Sequence, residues 1–174
     1  VDVNCNGGQG NDLASQGYLC VNSQQVTISN ANSTANFTVT QAPYQITGYV
    51  RDSGGQPVTN VNVYANATIN GTMYNVGGFT DPGGHYFLNV ANGTWNVNLE
   101  CNGLSMLGFL CANGQTLNIS NNNGIANFTL IRATSQISGS VNDNLGHPIT
   151  NISIYANATV NGTNLFANGT TDGT

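Results

Sequence analysis

Residues 61–72 read VNVYANATINGT, and residues 152–163 read ISIYANATVNGT. In the first stretch Val61, Val63, Ala65, Ala67 and Ile69 point one way, and Asn62, Tyr64, Asn66, Thr68 and Asn70 the other. A period of two marks a strand with one face against a core and one in water. Near-identity of two stretches set 91 residues apart makes that strand part of a repeat.

The same shift carries the repeat outward in both directions. Ile46, Gly48, Val50 and Asp52 fall on Ile137, Gly139, Val141 and Asp143, and Gly55 and Pro57 fall on Gly146 and Pro148. Cys20 falls on Cys111 and Asn36 on Asn127, with one slip where the loop between the first two cysteines is longer. The chain therefore divides into residues 1–43, the second half of a unit; 44–134, a complete unit; and 135–174, the first half of the next. It reads as a window on a longer array.

Alternation recurs elsewhere in the complete unit. Trp95, Val97 and Leu99 share a phase, as do Leu117 with Ile119, and Ala126 with Phe128 and Leu130. DSGGQP, DPGG, ANGT, ANGQ and NNNG separate these runs as turn signals. No segment sustains a 3.6-residue period. About seven short strands per unit, apolar on one face, predict an all-β chain of tandem antiparallel Greek-key sandwiches with a repeat of about 91 residues.

ITGYVRDSGGQPVTNVNVYA at 46–65, FTDPGGHYFLNVANGTWNVNL at 79–99 and the closing ANFTLIR at 126–132 together resemble the carboxypeptidase regulatory-like domain. That resemblance implies a transthyretin-like sandwich and a non-catalytic module of secreted or surface proteins. It brings no catalytic residue with it.

Composition narrows the function. Only 5% of residues are charged, Lys is absent, the basic side chains are Arg51 and Arg132, and the formal charge is -5. A nucleic-acid partner needs a basic footprint, which this chain lacks. No apolar run reaches the roughly 20 residues of a membrane span. The even cysteine count and spacing predict two disulfides, Cys5 with Cys20 and Cys101 with Cys111, and hence an extracellular or cell-surface setting.

Eleven Asn-x-Ser/Thr triplets begin at Asn32, Asn36, Asn66, Asn70, Asn92, Asn118, Asn127, Asn151, Asn157, Asn161 and Asn168. Asn66, Asn70, Asn118 and Asn127 take the outward phase, as a hydrated glycan requires. Covalent N-linked glycans are expected, and no other cofactor. A sugar coat would supply the hydration that charged side chains normally give.

No catalytic constellation stands out, and an enzyme is not expected. Asp52 and Asp143, and Asp81 and Asp172, sit at turn positions where an aspartate bonds its own backbone. The alternative, a calcium loop, lacks the dense acidic spacing of that motif. His85 and His147 read as surface turn residues. Tyr18, Tyr49, Tyr64, Tyr74, Tyr155 and Trp95 could offer sugar-stacking faces, although Trp95 phases inward.

A half sandwich of about 40 residues cannot bury its apolar faces alone. Residues 1–43 and 135–174 therefore require complements. Laid on one unit, together they lack the counterpart of GHYFLNVANGTWN at 84–96. The expected function is a structural subunit of an extracellular glycosylated filament or pilus-like fibre, pairing head to tail with copies of itself by strand complementation. The alternative is a tandem carbohydrate-binding or adhesion module.

Overall fold

A computed structural model describes residues 1–5, 12–160 and 162–173. Residues 44–134, read from the sequence as the complete unit, hold β1 (Tyr44–Asp52), β2 (Asn62–Ile69), β3 (Thr72–Phe79), β4 (His85–Val90), β5 (Gly93–Leu99), α1 (Cys101–Met106), β6 (Phe109–Ala112), β7 (Gln115–Ile119), β8 (Gly124–Ile125) and β9 (Phe128–Arg132). Beyond it lie β10 (Ser153–Val160) and β11 (Thr163–Thr170).

The described residues are all-β apart from α1 and irregular segments, and two sheets form a sandwich. One runs β3-β2-β5-β7; the other runs β10-β11-β6-β9-β1-β4, with β8 also on β1. Asn70 and Gly71, both at positive φ, close the two-residue hairpin between β2 and β3. An Asn-Gly turn of that kind matches the right-handed twist of its strands. It sets the register that brings Ala65 opposite Val76 and Ala67 opposite Tyr74.

The alternating phases fall as expected. Val61, Val63, Ala65, Trp95, Val97 and Leu130 are buried between the sheets, with Ile46 and Val50 of β1 facing them. Trp95 is fully enclosed, and its indole N–H donates to the Ala91 carbonyl at 2.9 Å. Tyr86 is enclosed too; its hydroxyl donates to the Ala126 carbonyl at 2.7 Å, and burial pushes its pKa far above the ordinary phenol value.

Two features depart from the expected pattern. β1 runs parallel to β8 and β9, whereas the other pairings among the described strands are antiparallel. The unit's first and last strands lie side by side, and a parallel pair needs the long crossover that the intervening strands supply. Between the last two cysteines stands the six-residue α1, capped by Glu100, whose side chain accepts from the Asn102 N–H. Tertiary closure holds it, since one isolated turn and a half is unstable in water.

Residues 12–43 carry one isolated bridge, Tyr18 to Gln41, and no continuous strand. Even so, their local bonds are those found 91 residues on. Gln24 Nε2 donates to the Asn36 carbonyl, as Gln115 Nε2 does to that of Asn127. Ala42 N–H bonds Gly17 O as Ala133 N–H bonds Gly108 O. Residues 135–173 likewise copy the start of the complete unit: Asn151 N–H bonds the Thr171 carbonyl as Asn60 N–H bonds that of Thr80.

Candidate functional site

The outer segments share their bonds with the complete unit but only part of its burial: Leu19, Ala42 and Leu165 are enclosed, whereas most of their isoleucines are not. Ile46 is 0% exposed, and its counterpart Ile137 is 87% exposed. Val63 is 0% exposed against 46% for Ile154. At the other end Ile119 is 2% exposed and its counterpart Ile28 is 74%. Ile149 and Ile152, matching buried Val58 and Val61, also face solvent. The exposed apolar residues gather on 135–173, and within 12–43 Ile28 stands exposed while Val26, Phe37 and Val39 are half-buried. Within the complete unit the corresponding residues pack on each other in a single core.

The segments also meet the complete unit along defined joints. β11 pairs antiparallel with β6, Leu165 opposite Ala112 and Phe166 opposite Cys111. The β10–β11 hairpin is thereby added to the edge of the sheet that holds β6, β9, β1 and β4. At the other joint the Thr40 hydroxyl and the Tyr74 phenol are hydrogen-bonded at 2.9 Å. There a cleft of about 420 Å3 opens between the turn at Ala14–Ser15, Cys20, and β3 and β4.

Cys101 and Cys111 are joined as a disulfide. Cys5 and Cys20 are not joined, in place of the second disulfide expected from spacing. Burial first, then the Cys5 hydrogen bond and the charges of Cys5 and Asp12, pushes the Cys20 thiol up to about 12. Such a thiol is a poor nucleophile at neutral pH. Alkylation of Cys20 at pH 8 is expected to run at least tenfold slower than for an ordinary thiol and to quicken as pH approaches 12. Equal rates in folded and urea-unfolded chain would show that the sulfur is not shielded.

The sugar acceptors divide by what their side chains already do. Asn32, Asn36, Asn70, Asn118, Asn151 and Asn157 are exposed, and Asn66 is half-buried. Asn92 Nδ2 donates to Asn121 Oδ1, and Asn127 Oδ1 accepts from the Tyr49 N–H. Asn168 is half-buried and bonded on both amide atoms. Asn161 lies outside the described residues.

The aspartates serve turns. Oδ1 of Asp52 accepts from the N–H groups of Gly54 and Gln56, Asp81 from Gly83 and His85, and Asp143 from Leu145 and His147. The backbone N–H and then the ring of His147 hold the Asp143 carboxyl below the usual range. Sequence reading missed that both histidines sit four residues after such an aspartate, in DPGGH and DNLGH. His147 Nδ1 lies 3.0 Å from Asp143 Oδ2, and His85 Nδ1 lies 4.0 Å from Asp81 Oδ2. Among the described residues no three His, Cys, Asp or Glu side chains gather in metal-binding geometry.

The tyrosines do not form one platform. Tyr74 and Trp95 are buried, Tyr49 packs against His85 and Arg51, and Tyr155 stands exposed on β10.

No family model matches the chain, and no curated protein shows a significant sequence match. Among solved structures it is similar to a streptococcal ancillary pilin at 9% identity and a TM-score of 0.41, covering 79% of this chain and 51% of that one. It is similar to the Bacillus anthracis TIE protein at 10% identity and a TM-score of 0.39, covering 76% and 25%. A 9R-lipoxygenase from Cyanothece follows at 13% identity and 0.33, covering 58% and 18%. The chain thus spans about half the length of the pilin chain and smaller shares of the others. Likenesses at this level carry no inference about function.

Proposed function

We propose that this chain is a non-catalytic structural subunit of an extracellular, glycosylated filament, assembled head to tail with copies of itself. One observation supports this reading above the rest. The residues exposed on the two outer segments occupy repeat positions that pack on one another in the complete unit. The open face of 135–173 is therefore shaped for residues 19–43 of an adjoining copy.

Magnitudes favour many weak joints over one strong one. Burying one of these Ile side chains is worth about 1.5–3 kcal/mol. Ile152 and Ile149 are only 40% and 39% exposed and Ile154 46%, so the five together total roughly 4–9 kcal/mol, no more than the roughly 4–15 kcal/mol that association costs. Strand pairing at each edge, and the summing of joints along an array, would supply the excess. The exposed acceptor asparagines lie on outward strand faces and at turns, where sugars would add hydration without blocking the apolar faces.

Electron microscopy of the native material is the deciding measurement. Uniform fibres with an axial repeat of one or two domain lengths are expected. Monodisperse single chains at micromolar concentration would overturn the proposal and favour the adhesion-module alternative.

A further inference from the structure

The joint between the complete unit and the segment that follows runs through β6 and α1. Cys101–Cys111 closes a loop around α1. Its last cysteine lies in β6, opposite Phe166 of β11. Its helix contributes Ser105, whose hydroxyl lies 3.0 Å from Asn168 Oδ1 and 3.2 Å from the Cys101 carbonyl. Asn102 of the same helix accepts from Asn168 Nδ2. Both amide atoms of Asn168 are thus held by the disulfide loop of the preceding unit.

The other joint shows that this contact is specific. One repeat earlier, Ser105 and Asn168 are replaced by Ala14 and Gly77, and there the cleft of about 420 Å3 lies open. Its polar bond is instead Thr40 to Tyr74, at positions occupied in the later joint by Ile131 and Leu165. Each joint carries its own polar pair, and a polar group that meets the wrong joint loses its partner.

We propose that the loop closed by Cys101–Cys111 is the coupler by which one repeat unit grips the next, with Asn168 as its clasp, so that the triplet Asn168-Gly169-Thr170 serves this joint and not a sugar. This rests on reading consecutive units as an array, but its test does not depend on filaments. Hydrogen exchange is followed in the dilute whole chain with the disulfide intact. In Asn168→Ala, amides of β11 and β6 are expected to exchange at least tenfold faster, with protection in β1 and β4 unchanged. Asn168→Asp keeps the oxygen facing Ser105 and loses the N–H to Asn102, and is expected to fall between. Reduction of Cys101–Cys111 with Asn168 intact is expected to loosen the same amides.

Unchanged exchange of β11 in Asn168→Ala overturns the proposal, as does equal acceleration in every strand. Sugar found on Asn168 by peptide mapping of native material overturns it too. Failure of the filament reading would appear in microscopy, and failure of the coupler in these amides.

Discussion

Gly48→Ala is expected to lower the stability of the complete unit by about 4 kcal/mol, among the larger effects a single methyl group produces. At Gly48 β1 meets the link between β8 and β9 backbone to backbone. A Cβ there would lie 1.8 Å from the Ala126 carbonyl oxygen and 2.7 Å from its carbon. Neither atom can swing aside as a side chain does, so the whole link must shift. With it go the Ala126 N–H bond to Thr47 O, the bond from the Tyr86 hydroxyl to Ala126 O, and the parallel pairing of β1 with β8. Against a total stability of about 5–15 kcal/mol, that loss moves the urea midpoint by about 2 M. A wild-type midpoint would mean that the two backbones are not in contact.

Gly139→Ala, the same change one repeat later, is expected to leave the isolated chain intact and to abolish assembly. Gly139 is exposed, and a Cβ there meets nothing within 4 Å. The residue matching Ala126 is Ala35, in the head segment. If the open face of 135–173 receives residues 19–43 of a neighbour, the methyl group added by Gly139→Ala collides with the Ala35 carbonyl, just as the one added by Gly48→Ala collides with that of Ala126. Thermal melting of the dilute variant should match the parent within about 0.5 kcal/mol. Fibres seen by microscopy for the parent should be missing for the variant. Normal fibres from Gly139→Ala would exclude this pairing of segments, whatever else holds the polymer together.

Most of the sandwich was legible in sequence because strand phase is local. Val61, Val63, Ala65 and Ala67 bury on the alternation that their neighbours write, and Trp95, Val97 and Leu99 do the same. What could not be read depends on partners distant in sequence. The parallel placing of β9 on β1 leaves no mark on either strand. Asn-Phe-Thr occurs at 36–38 and at 127–129. The second copy enters β9 because β1 lies beside it, whereas the first, with no such neighbour, forms no strand. Identical local sequence takes different structure because a strand is stabilised by what flanks it. The candidate faces were legible as half units, since the repeat names which residues lack cover. The clasp at Asn168 was not, because its partners Asn102 and Ser105 are more than sixty residues away, and the triplet that contains it resembles ten others.

The addition of β11 to β6 also bears on shape. In the complete unit the hairpin β2–β3 belongs to one sheet and β6 to the other, yet β10–β11, the counterpart of β2–β3, continues the sheet of β6. At this joint a ribbon of hydrogen-bonded strands therefore passes from one layer of the unit into the hairpin whose counterpart lies in the opposite layer. Neighbouring strands are each rotated by roughly 20–25° in a constant sense. If the proposed array repeats this crossing at successive joints, the rotation has no reason to cancel, and a row of such units is expected to wind as a screw of one hand.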